Sequence, residues 1–201
     1  MVDIRKSVDF SKISSLVVDT NAWFWTTYTG DFAPDDKPYG PAMVHYPNFL
    51  GNCLSENISL KYSTISLAEL HKLTEVSLYK LYKSWIEDDQ ITFKNYRFEE
   101  PAQRKDFLEE FESMYSQINT MADHLPTFDH VGEKYIGRLV KASLEEYLEI
   151  ADLVIIKSAE SINITDFITD DGDFATMEGI TVYTANNKVV EAAKNNGLLL
   201  N

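Results

Sequence analysis

The sequence predicts an α/β fold built on a mostly parallel sheet. Strand-forming runs stand at residues 15–18, 61–65, 166–169 and 181–183. Stretches with a helical apolar period lie between them. Strands that alternate with helices are joined by crossover connections, which set the strands parallel.

The elements follow in order. Ser15-Leu16-Val17-Val18 reads as a short buried strand that ends at Asp19-Thr20-Asn21. From Thr27 to Tyr46, Gly30, Pro34, Pro38, Gly40 and Pro41 break any regular pattern. An inserted loop is expected there, either a lid or binding segment or a surface insertion. Pro47 suits the first turn of a helix over Pro47–Glu56. Lys61–Ile65 is the second strand, and Ser66 starts a helix running to about Trp85. A helix is predicted over Ala102–Ala122, where Phe107, Leu108, Phe111, Met114, Tyr115 and Ile118 keep the 3.6-residue period. A shorter helical stretch lies near Gly132–Val140, and another helix runs from about Leu144 to Ser161. Strands follow at Asp166–Thr169 and Thr181–Tyr183, then a helix over Asn187–Asn195 closed by Gly197. One domain is expected over residues 1–201, with the loop at about 27–46 and a helical insertion at about 86–142.

A length of 201 residues is enough for one domain with its own core, and a hydrophobic share of 44% excludes a disordered chain. No apolar run reaches the roughly 18 residues of a membrane span, and no apolar segment of a signal peptide follows Met1. The single cysteine, Cys53, cannot form an internal disulfide. The cytoplasm is therefore the expected compartment. A net charge of −14 argues against a general nucleic-acid binder. It leaves room for a nuclease whose site is neutralised locally by metal, for a basic protein partner, or for plain solubility.

The chemistry is sought among the acids. Asp170, Asp171 and Asp173 crowd the turn after the strand at 166–169. Carboxylates so close must protonate, point into water or share a cation. Mg²⁺ and Mn²⁺ favour carboxylate oxygens. An acidic turn helped by Gly172 is the structural alternative. Asp19 stands at another strand's carboxyl end, where ligands bind in open α/β sheets, and also where a helix N-cap would sit. Glu69 belongs to Ser66-Leu67-Ala68-Glu69, which reads as a capping box with Glu69 at its third helical position. A ligand role rests on that helix starting at the same sheet edge. Asp152, with Leu148, Ile155, Ile156 and Ala159 at helical spacing, falls in an apolar stripe. A charge there needs a partner or a metal.

Lys72, Tyr79 and Lys83 share one face of the helix carrying Glu69, as a phosphate and base contact surface or as a solvated face. Lys157 and Arg138 are further cationic candidates. His45, His71, His124 and His130 show no zinc spacing, and Cys53 reads as core, as do Trp23 and Trp25. An aspartate-nucleophile phosphatase would want a lysine and a Ser/Thr at matching strand ends, and these are not placed.

The ordered set resembles the PIN-domain family of metal-dependent nucleases. The resemblance is carried by Val17-Val18-Asp19-Thr20-Asn21, Ser66-Leu67-Ala68-Glu69-Leu70, Ile150-Ala151-Asp152-Leu153-Val154-Ile155 and Ile168-Thr169-Asp170-Asp171-Gly172-Asp173-Phe174, then Gly179-Ile180-Thr181-Val182-Tyr183. It covers roughly residues 13–85 and 143–195 and leaves the middle uncovered. It implies a three-layer α/β/α sandwich and an acid cluster binding Mg²⁺ or Mn²⁺. By motif the ligands would be Asp19, Glu69, Asp152 and Asp171, with Asp173 close by; Asp170 falls on the variable position. Members include RNA-cutting toxins of toxin–antitoxin pairs, which often form homodimers, and enzymes that process RNA without being toxins. RNA as substrate and an antitoxin as partner follow from the resemblance. The alternative is a non-catalytic PIN-like module that binds protein. The added loop, the helical middle and the acidity depart from a compact toxin of the family.

Overall fold

The computed structural model describes residues 1–32, 40–88, 90–126, 133–146 and 148–201. Six strands are found among these residues: β1 (Val2–Asp3), β2 (Ser15–Val18), β3 (Ser59–Tyr62), β4 (Ala122–His124), β5 (Asp166–Ile168) and β6 (Thr181–Thr184). They form one sheet in the order β1-β6-β5-β2-β3-β4, and every pairing is parallel. The helices are α1 (Thr20–Thr27), α2 (Gly40–Ser55), α3 (Thr64–Ile86), α4 (Phe93–Glu99), α5 (Pro101–Met121), α6 (Glu133–Glu146), α7 (Ile150–Glu160) and α8 (Asn187–Asn195).

Strand alternation builds three layers. Leu16 and Val18 of β2 join Ile168 and Tyr183 in a core shared with residues of α1, α2, α3 and α5. Val17, Phe167 and Val182 face the other way, into a core with Leu139 of α6 and Leu153, Ile155 and Ile156 of α7. Apolar side chains on both faces make β2 a continuous apolar run, as expected of a parallel strand covered on both sides. The three-layer sandwich is the fold that the resemblance implied.

The middle of the chain differs from the expected helical insertion. It carries β4, which pairs with β3 at the edge of the sheet, and α5 packs against α3. Asp123 and His124 of this strand are exposed and polar, as an edge strand allows, so apolar patterning does not reveal it. The α2 helix begins at Gly40, ahead of the expected start, and holds Pro47 in its interior. Ala42, Tyr46, Phe49, Leu50 and Cys53 are buried along it, and this packing offsets the lost amide. Residues 33–39 of the expected loop lie outside the described residues.

The expected helix over Leu144–Ser161 is two helices, since α6 ends at Glu146 and α7 starts at Ile150. Helix α3 starts at Thr64, with the Ser63 hydroxyl accepting from the Ile65 amide at 3.1 Å. Ser66 is therefore inside the helix and the expected capping box does not form. Ser63, three residues earlier, took the cap.

Two buried carboxylates lock the frame. Glu75 on α3, 1% exposed, receives Nε of Arg97 at 2.8 Å, a second bond from the same guanidinium, and Nη1 of Arg104 at 2.9 Å. It thereby ties α4 and α5 to α3. Asp3, 2% exposed, takes Nε and Nη2 of Arg5 at 2.7 and 2.9 Å, and that guanidinium holds its carboxyl below the usual carboxylate range. A depressed carboxyl stabilises above its unfolded value and loses this as pH falls through the folded one. Asp3→Asn should therefore cost about 1–2 kcal/mol at pH 7, and nothing measurable in acid below the folded value. Urea unfolding in a pH series from 7 downward, in which the difference between variant and wild type should shrink as the pH falls, checks this.

The chain leaves β2 toward β3 on one side, while β5 continues to β6 on the other. The carboxyl ends of β2 and β5 thus flank a topological switch point, where open α/β sheets form their ligand crevices.

Candidate metal centre

A cleft of about 340 Å³ opens at that switch point, and six carboxylates line it: Asp19, Glu69, Glu149, Asp152, Asp171 and Asp173. All five acids expected at the site therefore meet in one place. Asp170 does not line it.

Asp19 leaves β2 and stands at the N-cap position of α1, yet its side chain makes no capping bond to the helix. It is 5% exposed, and its Oδ2 accepts from the Thr169 hydroxyl at 2.8 Å. Burial pushes its carboxyl up to about 6, with Glu69 and Asp171 adding to the rise and the Thr169 hydroxyl and Thr20 amide opposing it. The capping alternative is thereby removed. Glu69 has also lost its expected capping role. One of its oxygens accepts from the Thr20 hydroxyl at 2.6 Å, which joins α3 to the residue after Asp19.

Asp152 lies in the first turn of α7, not in the middle of a long helix. It is half-buried and faces the cleft, which corrects the expectation that it sits in the apolar stripe. The buried apolar positions of α7 are Leu153, Ile155, Ile156 and Ala159. Desolvation, and then the charges of Asp19, Asp171, Glu69 and Glu149, raise it to about 7. The helix N-terminus is a favourable place for a carboxylate, and the rise occurs despite it. Asp171 is set by the backbone: its amide donates to Thr169 Oγ1 at 2.9 Å, and its Oδ1 accepts from the Asp173 amide at 2.9 Å.

Thr169 thus touches both Asp19 and Asp171, and Thr20 touches Glu69. Sequence reading gave neither threonine a bonding role, although each stands beside an acid at a strand end. Glu149, at the N-cap position of α7, was missed outright. No sequence signal separates it from Glu145 and Glu146 nearby.

The donor set is wholly oxygen, which fits a hard divalent cation such as Mg²⁺ or Mn²⁺. Among the described residues, no three His, Cys, Asp or Glu side chains are already gathered tightly enough to hold a metal ion. The carboxylates line the cleft walls, so binding would require them to turn inward. Burial is the larger cause of the rises at Asp19 and Asp152, and the neighbouring acids add to it.

Lys72 stands on α3 at the same cleft and makes no ion pair or side-chain hydrogen bond among the described residues. Tyr79, expected on the same open face, is turned into α4: its hydroxyl donates to the Ile91 carbonyl at 2.8 Å and its ring packs on Phe93 and Tyr96. It is therefore no open stacking platform. Lys157 pairs with Glu160 at 2.8 Å. The Arg138 side chain and His130 lie outside the described residues. Cys53 is fully buried and burial pushes its thiol up to about 12, which makes it inert core. Trp23 is also fully buried, and Trp25 packs beside it against the same core. His71 is wedged edge-on between Phe107 and Phe111, and His124 bonds to Thr64.

No family model matches the chain, and no curated protein matches it. Among the solved structures that match it, two align over most of its length. One is VapBC2 from Rickettsia felis bound to a DNA fragment from their promoter, at 17% identity and a TM-score of 0.49, over 85% of this chain and 98% of that one. The other is PAE2754 from Pyrobaculum aerophilum, at 14% identity and a TM-score of 0.43, over 90% of this chain and 98% of that one. No described helix is long and apolar enough to cross a membrane.

Proposed function

We propose that the protein is a Mg²⁺- or Mn²⁺-dependent endoribonuclease. One observation carries the reading: acids from four separate stretches of chain line a single cleft between the carboxyl ends of β2 and β5. Asp19 and Asp171 would hold the cation directly, Asp152 beside them. Glu69 would act through water, with Asp173 and Glu149 completing the negative wall. Such an ion supplies an activated water and neutralises phosphate oxygens. The chain's own groups do the rest. Thr169 keeps Asp19 and Asp171 in register, Thr20 aims Glu69, and Lys72 offers a cation to a phosphate of the incoming strand.

RNA as substrate, an antitoxin protein as partner, a homodimer and a cytoplasmic location come from the resemblance to PIN-domain nucleases. The decisive assay is cleavage of a labelled single-stranded RNA by purified protein. Cleavage with Mg²⁺ or Mn²⁺, loss with EDTA and recovery on adding metal back are expected. Cleavage that ignores EDTA, or its absence with either metal, would sink the reading.

A second reading is a PIN-like module that binds protein and cuts nothing. It is favoured by the net charge of −14 and by carboxylates that do not yet close around an ion. The two readings part on Lys72→Met, expected to weaken RNA binding several-fold in a nuclease and to change nothing in a protein-binding module. Filter binding of an RNA by Asp19→Asn protein with and without the change reads this.

A further inference from the structure

We infer that the buried tyrosine Tyr46 is a positioning residue for the acid cleft, holding the turn that carries Asp171 and Asp173 through its hydroxyl. The inference rests on the metal-site reading, but its first test does not.

Tyr46 comes from α2, on the opposite side of β5 and β6 from α7, and none of its surface is exposed. Its hydroxyl donates to Asp170 Oδ1 at 2.8 Å. It accepts from the Ala185 amide at 3.2 Å and lies 3.3 Å from Thr184 Oγ1, which takes the Asn186 amide at 3.1 Å and is left to donate to it. The Thr169 carbonyl lies 3.2 Å away. One phenol thereby has its single proton and both lone pairs in use. It joins the end of β5, the end of β6 and α2 at a single atom.

The partner side chain is the acid that the cleft does not use. Asp170 turns away from Asp171, inward to Tyr46, and its carbonyl is held by Asn186 Nδ2 at 2.8 Å. Residues 169–171 are thus clamped from behind, by Tyr46 and Asn186, while Thr169 Oγ1 clamps them from the front through Asp19 and the Asp171 amide. With its neighbours fixed on both sides, Asp171 has little freedom to leave the cleft. Groups that orient ligands without touching the ion alter metal affinity about 10- to 100-fold when removed.

A matched control exists in the same core. Tyr183, 5% exposed, donates its hydroxyl to Asp166 Oδ1 at 3.0 Å, at the start of β5 and away from the cleft. Tyr183→Phe removes the same hydroxyl chemistry and leaves in place the bond from the Thr169 amide to the Tyr183 carbonyl.

Amide hydrogen exchange on metal-free protein is the first test. In Tyr46→Phe the Asp171 and Asp173 amides should exchange about 10-fold faster, and Tyr183→Phe should leave them unchanged. Asp170→Ala should reproduce the part of the Tyr46→Phe effect that runs through the Asp170 bond, and the double variant should show less than the sum of the two, since both remove that bond. Exchange in Tyr46→Phe equal to that in the control overturns the inference. Calorimetric Mn²⁺ titration is the second test, with a loss of about 10-fold in affinity expected for Tyr46→Phe and none for Tyr183→Phe. Equal affinities overturn the inference as well. Faster exchange in a protein whose wild type takes up no Mn²⁺ supports the clamp and counts against the metal reading instead.

Discussion

Asp19→Asn is expected to abolish metal-dependent cleavage and, in the same protein, to raise the thermal stability of the metal-free fold. The two effects have one cause. Asp19 is buried beside Glu69 and Asp171, and its carboxyl sits near 6 in the folded chain. A carboxyl raised above its unfolded value stabilises least once ionised, so stability falls as pH rises from the ordinary carboxylate range through about 6. A shift of about two units is worth roughly 3 kcal/mol. The asparagine keeps an oxygen to accept from the Thr169 hydroxyl and removes the charge. A net gain of about 1–2 kcal/mol, or roughly 2–8 °C in melting temperature, should appear at pH 7.5 in EDTA and vanish at pH 4. Saturating Mn²⁺ should reverse the order, because only the wild type gains from binding. Differential scanning calorimetry in both buffers reads this. A variant less stable than wild type in EDTA would show that Asp19 is there for the fold.

Glu75→Gln should have the opposite sign and a larger size. Glu75 is inside the protein and accepts three charged hydrogen bonds from Arg97 and Arg104, which stack on Phe93 and Phe107 at 4.7 and 4.8 Å. Removing one partner of a buried ion pair strands the others, at a cost of about 3–5 kcal/mol. Both guanidinium groups are part exposed and regain water, which places the loss at the lower end, about 3 kcal/mol, or roughly 6–12 °C. The loosening should appear in α4 and α5 first, as faster amide exchange there, and leave Mn²⁺ affinity unchanged. A melting temperature within 2 °C of wild type, on the order of the measurement's error, would show that the clamp contributes nothing.

How much of this was legible in the sequence depended on burial on two faces. Val17 and Val18, packed on both sides, announce β2 and so locate Asp19. The turn at Asp170–Asp173 announces itself by charge. Strands β1 and β4, of two and three residues, could not be seen: one contains Asp3 and the other is a polar edge. Glu69 and Asp152 were found for reasons that the structure replaces. Ser66-Leu67-Ala68-Glu69 mimics a capping box one turn late, and Leu148 mimics a continuation of α7 across a break. Each acid nonetheless reaches the cleft, since a one-turn error along a helix keeps a residue on its face. Glu149 and Tyr46 were silent, the first because it is one glutamate among several. The second was silent because its partners stand more than a hundred residues away in the chain.

The central claim is that the carboxylates of the cleft take up a divalent cation, and calorimetric titration of Mn²⁺ into metal-stripped protein at pH 8 tests it most directly. Saturable binding to the wild type, lost in both Asp19→Asn and Asp171→Asn, is the expected result. A wild type that takes up no Mn²⁺, or variants that bind it as well as the wild type does, would contradict it.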